Sequence, residues 1–186
     1  IGGSLSVVDI LVWLFEGPLK DPDNRLVYSK GHACEALYAT LAYYGHIPRE
    51  ELLTYGQDGS RLGGHPDIRV PFMTFNSGAL GHGLSIACGI AGAQVLKKEP
   101  GVVYCVLGDG ECCEGSVWEA AVIAGGRIGV PSLPVVAIID ANGSMTHDQA
   151  PYFQRILAAW EGLGWETYHH EPRRYSLPDL RTYPLV

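Results

Sequence analysis

Two short runs constrain this chain more than any other feature. Val102-Val-Tyr-Cys-Val-Leu107 passes directly into Gly108-Asp109-Gly110, and Val135-Val-Ala-Ile-Ile139 ends at Asp140. Both are apolar throughout rather than alternating. A strand apolar on both sides must be covered on both sides, which is how parallel strands with helices on each face read. The segments around these runs carry helical spacing instead. Apolar residues recur from Ser4 to Phe15 (Leu5, Val8, Leu11, Val12, Phe15), with Ser4 as the expected cap. Further helices are expected over Cys34 to Tyr44, stopped by Gly45, and over Arg49 to Tyr55 behind Pro48. Others follow at Gly81 to Lys97, Ser116 to Ala124 and Tyr152 to Leu163. Pro18, Pro22 and Asn24 make a connection, Gly56 to Asn76 reads as an extended loop, and Glu166 to His169 as a third strand. The expected fold class is α/β, a mainly parallel sheet with helices on both faces, forming one module over residues 1–186.

Composition narrows the partners. A net charge of −7 with no basic run excludes nucleic-acid and anionic-membrane binding as expectations. Five cysteines without C-x-x-C spacing read as reduced thiols of a cytoplasmic protein, Cys112 and Cys113 as packing residues. Gly78 to Leu96 is nearly free of charge and about the length that spans a bilayer. Its His82, Ser85, Gln94 and many glycines favour a buried helix instead. Ser85, Gly89 and Ala93 form a small-residue face suited either to the core or to an interface.

Open parallel sheets bind ligands outside the carboxyl ends of their strands. Asp109 and Asn142 both fall there. A carboxylate, an amide oxygen and a backbone carbonyl suit a hard cation such as Mg2+, or Ca2+ or Mn2+ in its place. Such an ion takes about six oxygens and leaves several to phosphate and water. Gly108 and Gly110 would let backbone approach a phosphate. Gly-Asp-Gly alone, however, is also an ordinary turn sequence.

The wider pattern decides between these. Gly108-Asp-Gly-Glu-Cys-Cys-Glu114-Gly-Ser-Val-Trp-Glu119-Ala-Ala, followed by Asp140-Ala-Asn142-Gly, resembles the thiamine diphosphate motif of transketolases. Ile1-Gly-Gly-Ser-Leu-Ser-Val-Val-Asp-Ile, Ser29-Lys-Gly-His-Ala, Leu37-Tyr-Ala-Thr-Leu-Ala, Gly63-Gly-His-Pro66 and Ser77-Gly-Ala-Leu-Gly-His-Gly-Leu84 look like further blocks of that family, in its order. The similarity is greatest to the N-terminal subunit of transketolases split into two polypeptides.

The resemblance implies the diphosphate-binding module of the thiamine diphosphate fold, with the pyrimidine-binding module on a separate C-terminal subunit, in an α2β2 heterotetramer. It implies transfer of a two-carbon ketol unit from a ketose donor to an aldehyde acceptor. By position, Asp109, Asn142 and the main-chain carbonyl of Ser144 match the metal ligands, and Gly110 a diphosphate contact. Gly78 and Leu80 match positions lining the thiazolium–pyrimidine region. His32 matches a histidine near the diphosphate and sugar, and His65 one that bonds the donor hydroxyl. Glu114 matches a carboxylate that approaches the partner's catalytic glutamate, although a glutamate there also suits a helix start. His82 stands where many relatives have glutamine and reads as a packing or hydrogen-bonding residue.

Two stretches depart from the family. Gly-Ser-Met-Thr-His-Asp-Gln-Ala-Pro after Asn142 lacks the usual Ile-Asp-Gly. His170-Glu171-Pro172-Arg173-Arg174-Tyr175 replaces an Asp-Gly-His-Asp loop, with His169 or His170 as the substitutes available for its histidine. Two other readings therefore stand beside the split transketolase. One is a subunit of a different thiamine diphosphate enzyme, such as a 2-keto acid decarboxylating enzyme or a specialised two-carbon transferase. The other is a cofactor-free paralogue.

Overall fold

The computed structural model describes residues 2–126, 132–142 and 149–168, with backbone alone for 149–153. Three parallel strands form the sheet among these residues: β1 (Arg25–Tyr28), β2 (Val103–Gly108) and β3 (Val135–Asp140), in the order β1-β2-β3. The chain enters through α1 (Gly2–Ser6) and α2 (Val8–Glu16) before β1, and α3 (Cys34–Tyr43) follows β1. A long loop then leads to α4 (Gly83–Lys97), which precedes β2. Helix α5 (Gly115–Ala124) links β2 to β3, and α6 (Gln149–Gly162) follows.

Side chains alternate between two faces along each strand, and both faces are buried. Leu26, Tyr28, Tyr104 and Val106 pack with Leu11, Leu14, Leu37 and Leu41 of α2 and α3. Val27, Val103, Cys105 and Leu107 pack with Leu84, Ala87, Ala91, Val117, Ala120 and Ala121 of α4 and α5, and with Ile156 and Trp160 of α6. Two covered faces explain why β2 is apolar at every position. Trp118, Trp160 and Trp165 meet edge to face or tilted, and Trp165 Nε1 donates to Ala121 O at 2.8 Å, fastening α6 to α5.

Several expectations need correction. The segment expected as one helix from Ser4 breaks at Val7, and Ser4 is not its cap. Ser4 lies inside α1 and donates to Glu35 Oε2 at 2.6 Å. Arg49–Thr54 is a 3-10 turn, not an α-helix; none of its residues is buried, so nothing favours the longer-range ladder. Glu166–Tyr168 is not a strand, and its side chains bond locally: Thr167 to Glu161, Tyr168 to Glu166. The third strand is instead β1, too short at four residues to announce itself between Asn24 and Ser29. The loop expected from Gly56 to Asn76 holds. No described helix is long and apolar enough to cross a membrane.

Helix α4 seats tightly on the end of β1. A Cβ at Gly83 would lie 2.3 Å from the Cβ and Oγ of Ser29, and Gly83 N donates to that Oγ at 3.2 Å. Overpacking of this kind costs about 1–3 kcal/mol. Gly83→Ala is therefore expected to lower unfolding stability by about that amount in urea denaturation; a variant as stable as the parent would show that this contact is slack.

Candidate functional site at the carboxyl ends of the strands

Parallel pairing brings the proposed residues to one edge. Gly108 is in register with Asp140, so Asp109 and Asn142 follow strand ends lying side by side, about 4.8 Å apart. Tyr28 pairs with Val106, which sets Ser29, Gly31 and His32 beside the same edge. The loop before α4 closes over it. A Cβ at Gly31 would meet Ser77 Oγ at 2.6 Å and His65 Cδ2 at 3.2 Å, and one at Gly78 would meet His65 Cγ at 3.9 Å. His65 thus stands between Gly31 and Gly78, and both His65 and His32 are solvent-exposed. Partial burial, then the Lys30 charge, holds the His32 imidazole below its ordinary pKa, with opposing pulls from Glu111 and Asp109. Gly78 and Leu80 line the open side, Leu80 with 46% of its surface exposed.

Three carboxylates are buried here among the described residues, and they differ in what satisfies them. Glu111 takes three donors: Ser29 Oγ at 2.5 Å, Gly81 N at 3.0 Å and Gly108 N at 2.9 Å. Asp140 takes Lys30 Nζ at 2.5 Å and Ser6 Oγ at 2.6 Å. Asp109 accepts from Gly110 N at 2.9 Å through Oδ1, while its buried Oδ2 has no hydrogen-bond partner. A buried carboxylate oxygen left bare is costly. Only Asp109 presents one, at the end of the central strand. Carboxylate and amide oxygens are a donor set for a hard cation, so the residues present fit the metal that the sequence suggests. Ser144 lies outside the described residues, as do His169 and His170.

Other expectations are refined. Gly108 is buried, and the stem of Lys30 fills the space beside it: a Cβ there would lie 3.6 Å from Lys30 Cγ and Cε. Glu114 occupies the N-cap position of α5 but makes no side-chain cap bond, so the capping alternative is not realised. It packs instead against Gly81, where a Cβ would come within 2.6 Å of Glu114 Cβ. His82 is exposed, against the packing expectation, because it precedes the first turn of α4 on the solvent side. Cys112 is buried as expected, whereas Cys113 is exposed: the 3-10 turn Asp109–Cys113 points successive side chains apart. Ser85, Gly89 and Ala93 are all exposed, so this face does not serve the chain's own core. Sequence reasoning passed over Glu111, Lys30 and Ser6. Their signal was weak: polar residues inside otherwise recognised blocks.

Comparison with known proteins identifies the family. Residues 16–173 match the model described as "Transketolase, thiamine diphosphate binding domain". The chain belongs to the transketolase family. One of the two apulose-4-phosphate transketolase subunits of Phocaeicola vulgatus is 41% identical over 89% of this chain and 62% of its own length. The 6-deoxy-6-sulfo-D-fructose transketolase subunit of a Clostridium species is 43% identical over 89% of this chain and 63% of its own length. Mouse transketolase is 39% identical over 87% of this chain and 27% of its own length. Among solved structures, a transketolase from Pichia stipitis superposes with TM-score 0.63 at 25% identity, covering 88% of this chain and 30% of that one. The chain thus spans less than two thirds of the length of these curated relatives.

Glu111 ties the ends of β1 and β2 to the loop before α4, so it is the anchor of this edge. Glu111→Gln keeps the shape but replaces one acceptor oxygen with an amino group facing donors. Leaving buried donors unmet costs about 1–3 kcal/mol. The variant is expected to lose stability on that scale in urea denaturation; no loss would show that the three bonds are not what holds the loop.

Proposed function

We propose that this chain is the diphosphate- and metal-binding subunit of a thiamine diphosphate-dependent transketolase that works with a C-terminal partner subunit. The observation that carries the reading is the bare, buried Oδ2 of Asp109 at the end of β2. In this reading Asp109 and Asn142 hold Mg2+, with Ser144 contributing its carbonyl by its place in the family motif. Gly108 and Gly110 lie along the diphosphate, and Gly78 and Leu80 border the ring system. When bound, thiamine diphosphate supplies the group that stabilises a carbanion. The chain's own residues bind and orient it and exclude water around it. His65 and His32, exposed on the open side, face the donor sugar. The lowered pKa of His32 leaves its ring neutral at neutral pH, able both to donate and to accept a hydrogen bond.

Relatives named as transketolase subunits support a separate partner chain. We assign a symmetric α2β2 heterotetramer in the cytoplasm, since closed point-group assembly is the common form. Glu114 and the exposed Ser85, Gly89 and Ala93 face of α4 are the surfaces offered to neighbours. The two subunits that are 41% and 43% identical are named for different sugars, so similarity at this level does not select the donor.

Calorimetry with thiamine diphosphate and Mg2+ tests the site. Asp109→Ala is expected to abolish magnesium-dependent cofactor binding with the circular dichroism spectrum unchanged. Asn142→Ala is expected to weaken it about tenfold or more, the scale of one lost hydrogen bond to a charged group. Unchanged affinity in both variants contradicts the assignment. His65→Ala in the reconstituted enzyme is expected to raise KM for the donor and leave cofactor affinity intact; the opposite pattern contradicts its role.

A further inference from the structure

Asn142 is held on the side away from the proposed metal by a network reaching back to the first helix. Lys30 leaves the end of β1, crosses Gly108 on β2 and meets Asp140 Oδ2 on β3 at 2.5 Å, with both side chains almost fully buried. Lys30 Nζ also donates to Gly3 O at 3.0 Å and Ser6 Oγ at 3.3 Å. Ser6 Oγ lies 2.6 Å from Asp140 Oδ2, 3.1 Å from Gly3 O and 3.1 Å from Asn142 Nδ2.

A hydroxyl has one proton and two lone pairs. The bond from Ser6 to the Asp140 carboxylate is shorter than that to Gly3 O and is charge-assisted, so the proton belongs there. Ser6 then has only lone pairs left. One accepts from Lys30, and the other is presented to Asn142. That lone pair attracts the amide's Nδ2–H and repels its oxygen, which decides which way round the amide sits. With Nδ2 turned to Ser6, Oδ1 is turned away from it. Flipping the amide would set oxygen against oxygen at Ser6 and offer an NH2 group to a cation.

We propose that Ser6, polarised by the buried Lys30–Asp140 pair, is a positioning residue that selects the amide orientation in which Asn142 offers oxygen to the metal. This rests on the assignment of Asn142 as a metal ligand. Removing partners that orient metal ligands typically costs about 10–100-fold in metal affinity. Ser6→Ala should therefore raise the magnesium concentration for half-saturation by about tenfold or more. Affinity for thiamine diphosphate at saturating magnesium should stay within about twofold, because the change acts through the metal ligand. Ser6→Cys, which keeps the volume but offers a weak sulfur acceptor, should lose affinity similarly, and Ser6→Thr should retain it.

The discriminating step is a double-mutant cycle measured by calorimetry on the full-length protein, in whichever assembly the unaltered protein binds cofactor. A carboxylate has no wrong way round. In an Asn142→Asp background, Ser6→Ala should accordingly shift magnesium half-saturation by less than about twofold, the full effect being confined to the asparagine background. An equal loss in both backgrounds would make Ser6 a structural residue only and overturn the proposal, as would unchanged half-saturation in Ser6→Ala. If the unaltered protein shows no magnesium-dependent binding, the metal site itself is wrong and this inference falls with it. Binding by the unaltered protein together with full binding by Ser6→Ala overturns the role of Ser6 alone.

Discussion

The pairing of Gly108 with Asp140 across β2 and β3 is the constraint on which the site depends. Strand side chains alternate between faces, so a slip of one residue would exchange the faces and move every ligand candidate out of position. The register is defended by burial on both sides: Cys105 and Leu107 point to one layer of helices, Tyr104 and Val106 to the other. Lys30 adds a specific lock. Its stem lies over Gly108 and its ammonium reaches Asp140, so one side chain from β1 spans all three strand ends. Larger side chains at position 108 would obstruct that path.

Taking charges into the interior is costly unless each finds partners, and this edge holds three carboxylates and one ammonium. Glu111 is met by two backbone amides and a hydroxyl, Asp140 by the ammonium and a hydroxyl. Asp109 is not fully met. Such asymmetry has a physical reading. Satisfied carboxylates hold the frame rigid, while the one with an open oxygen is stabilised by whatever cation binds there. The frame and the ligand set are therefore separate groups of residues packed against each other. A site is positioned best when fixed elements and buried bonds support it in this way.

Most of the fold was legible because its signals are local and strong. Fully apolar β2 and β3, the Gly-Asp-Gly turn and the small-residue stretch of α4 each carry a pattern that packing then uses. Short β1 was not legible: four residues between polar neighbours give no period, and only pairing with β2 makes them a strand. Arg49–Thr54 failed as an α-helix because it buries nothing. At the site, Asp109 and Asn142 were visible as oxygen donors after apolar runs. Lys30, Ser6 and Glu111 were not, since their significance lies in bonds between residues 24 to 134 positions apart, plus the backbone contacts of Glu111. No local pattern encodes such distances.

The most direct test of the central claim is to locate the metal itself. Crystals of the protein in its complete assembly with thiamine diphosphate and Mn2+ in place of Mg2+ allow the ion to be placed by anomalous scattering. The account predicts one strong peak outside the ends of β2 and β3. It should lie at coordination distance, about 2.0–2.2 Å, from Asp109 Oδ2 and from the Asn142 amide oxygen. A peak elsewhere, or a bound cofactor with no metal at Asp109, would contradict it.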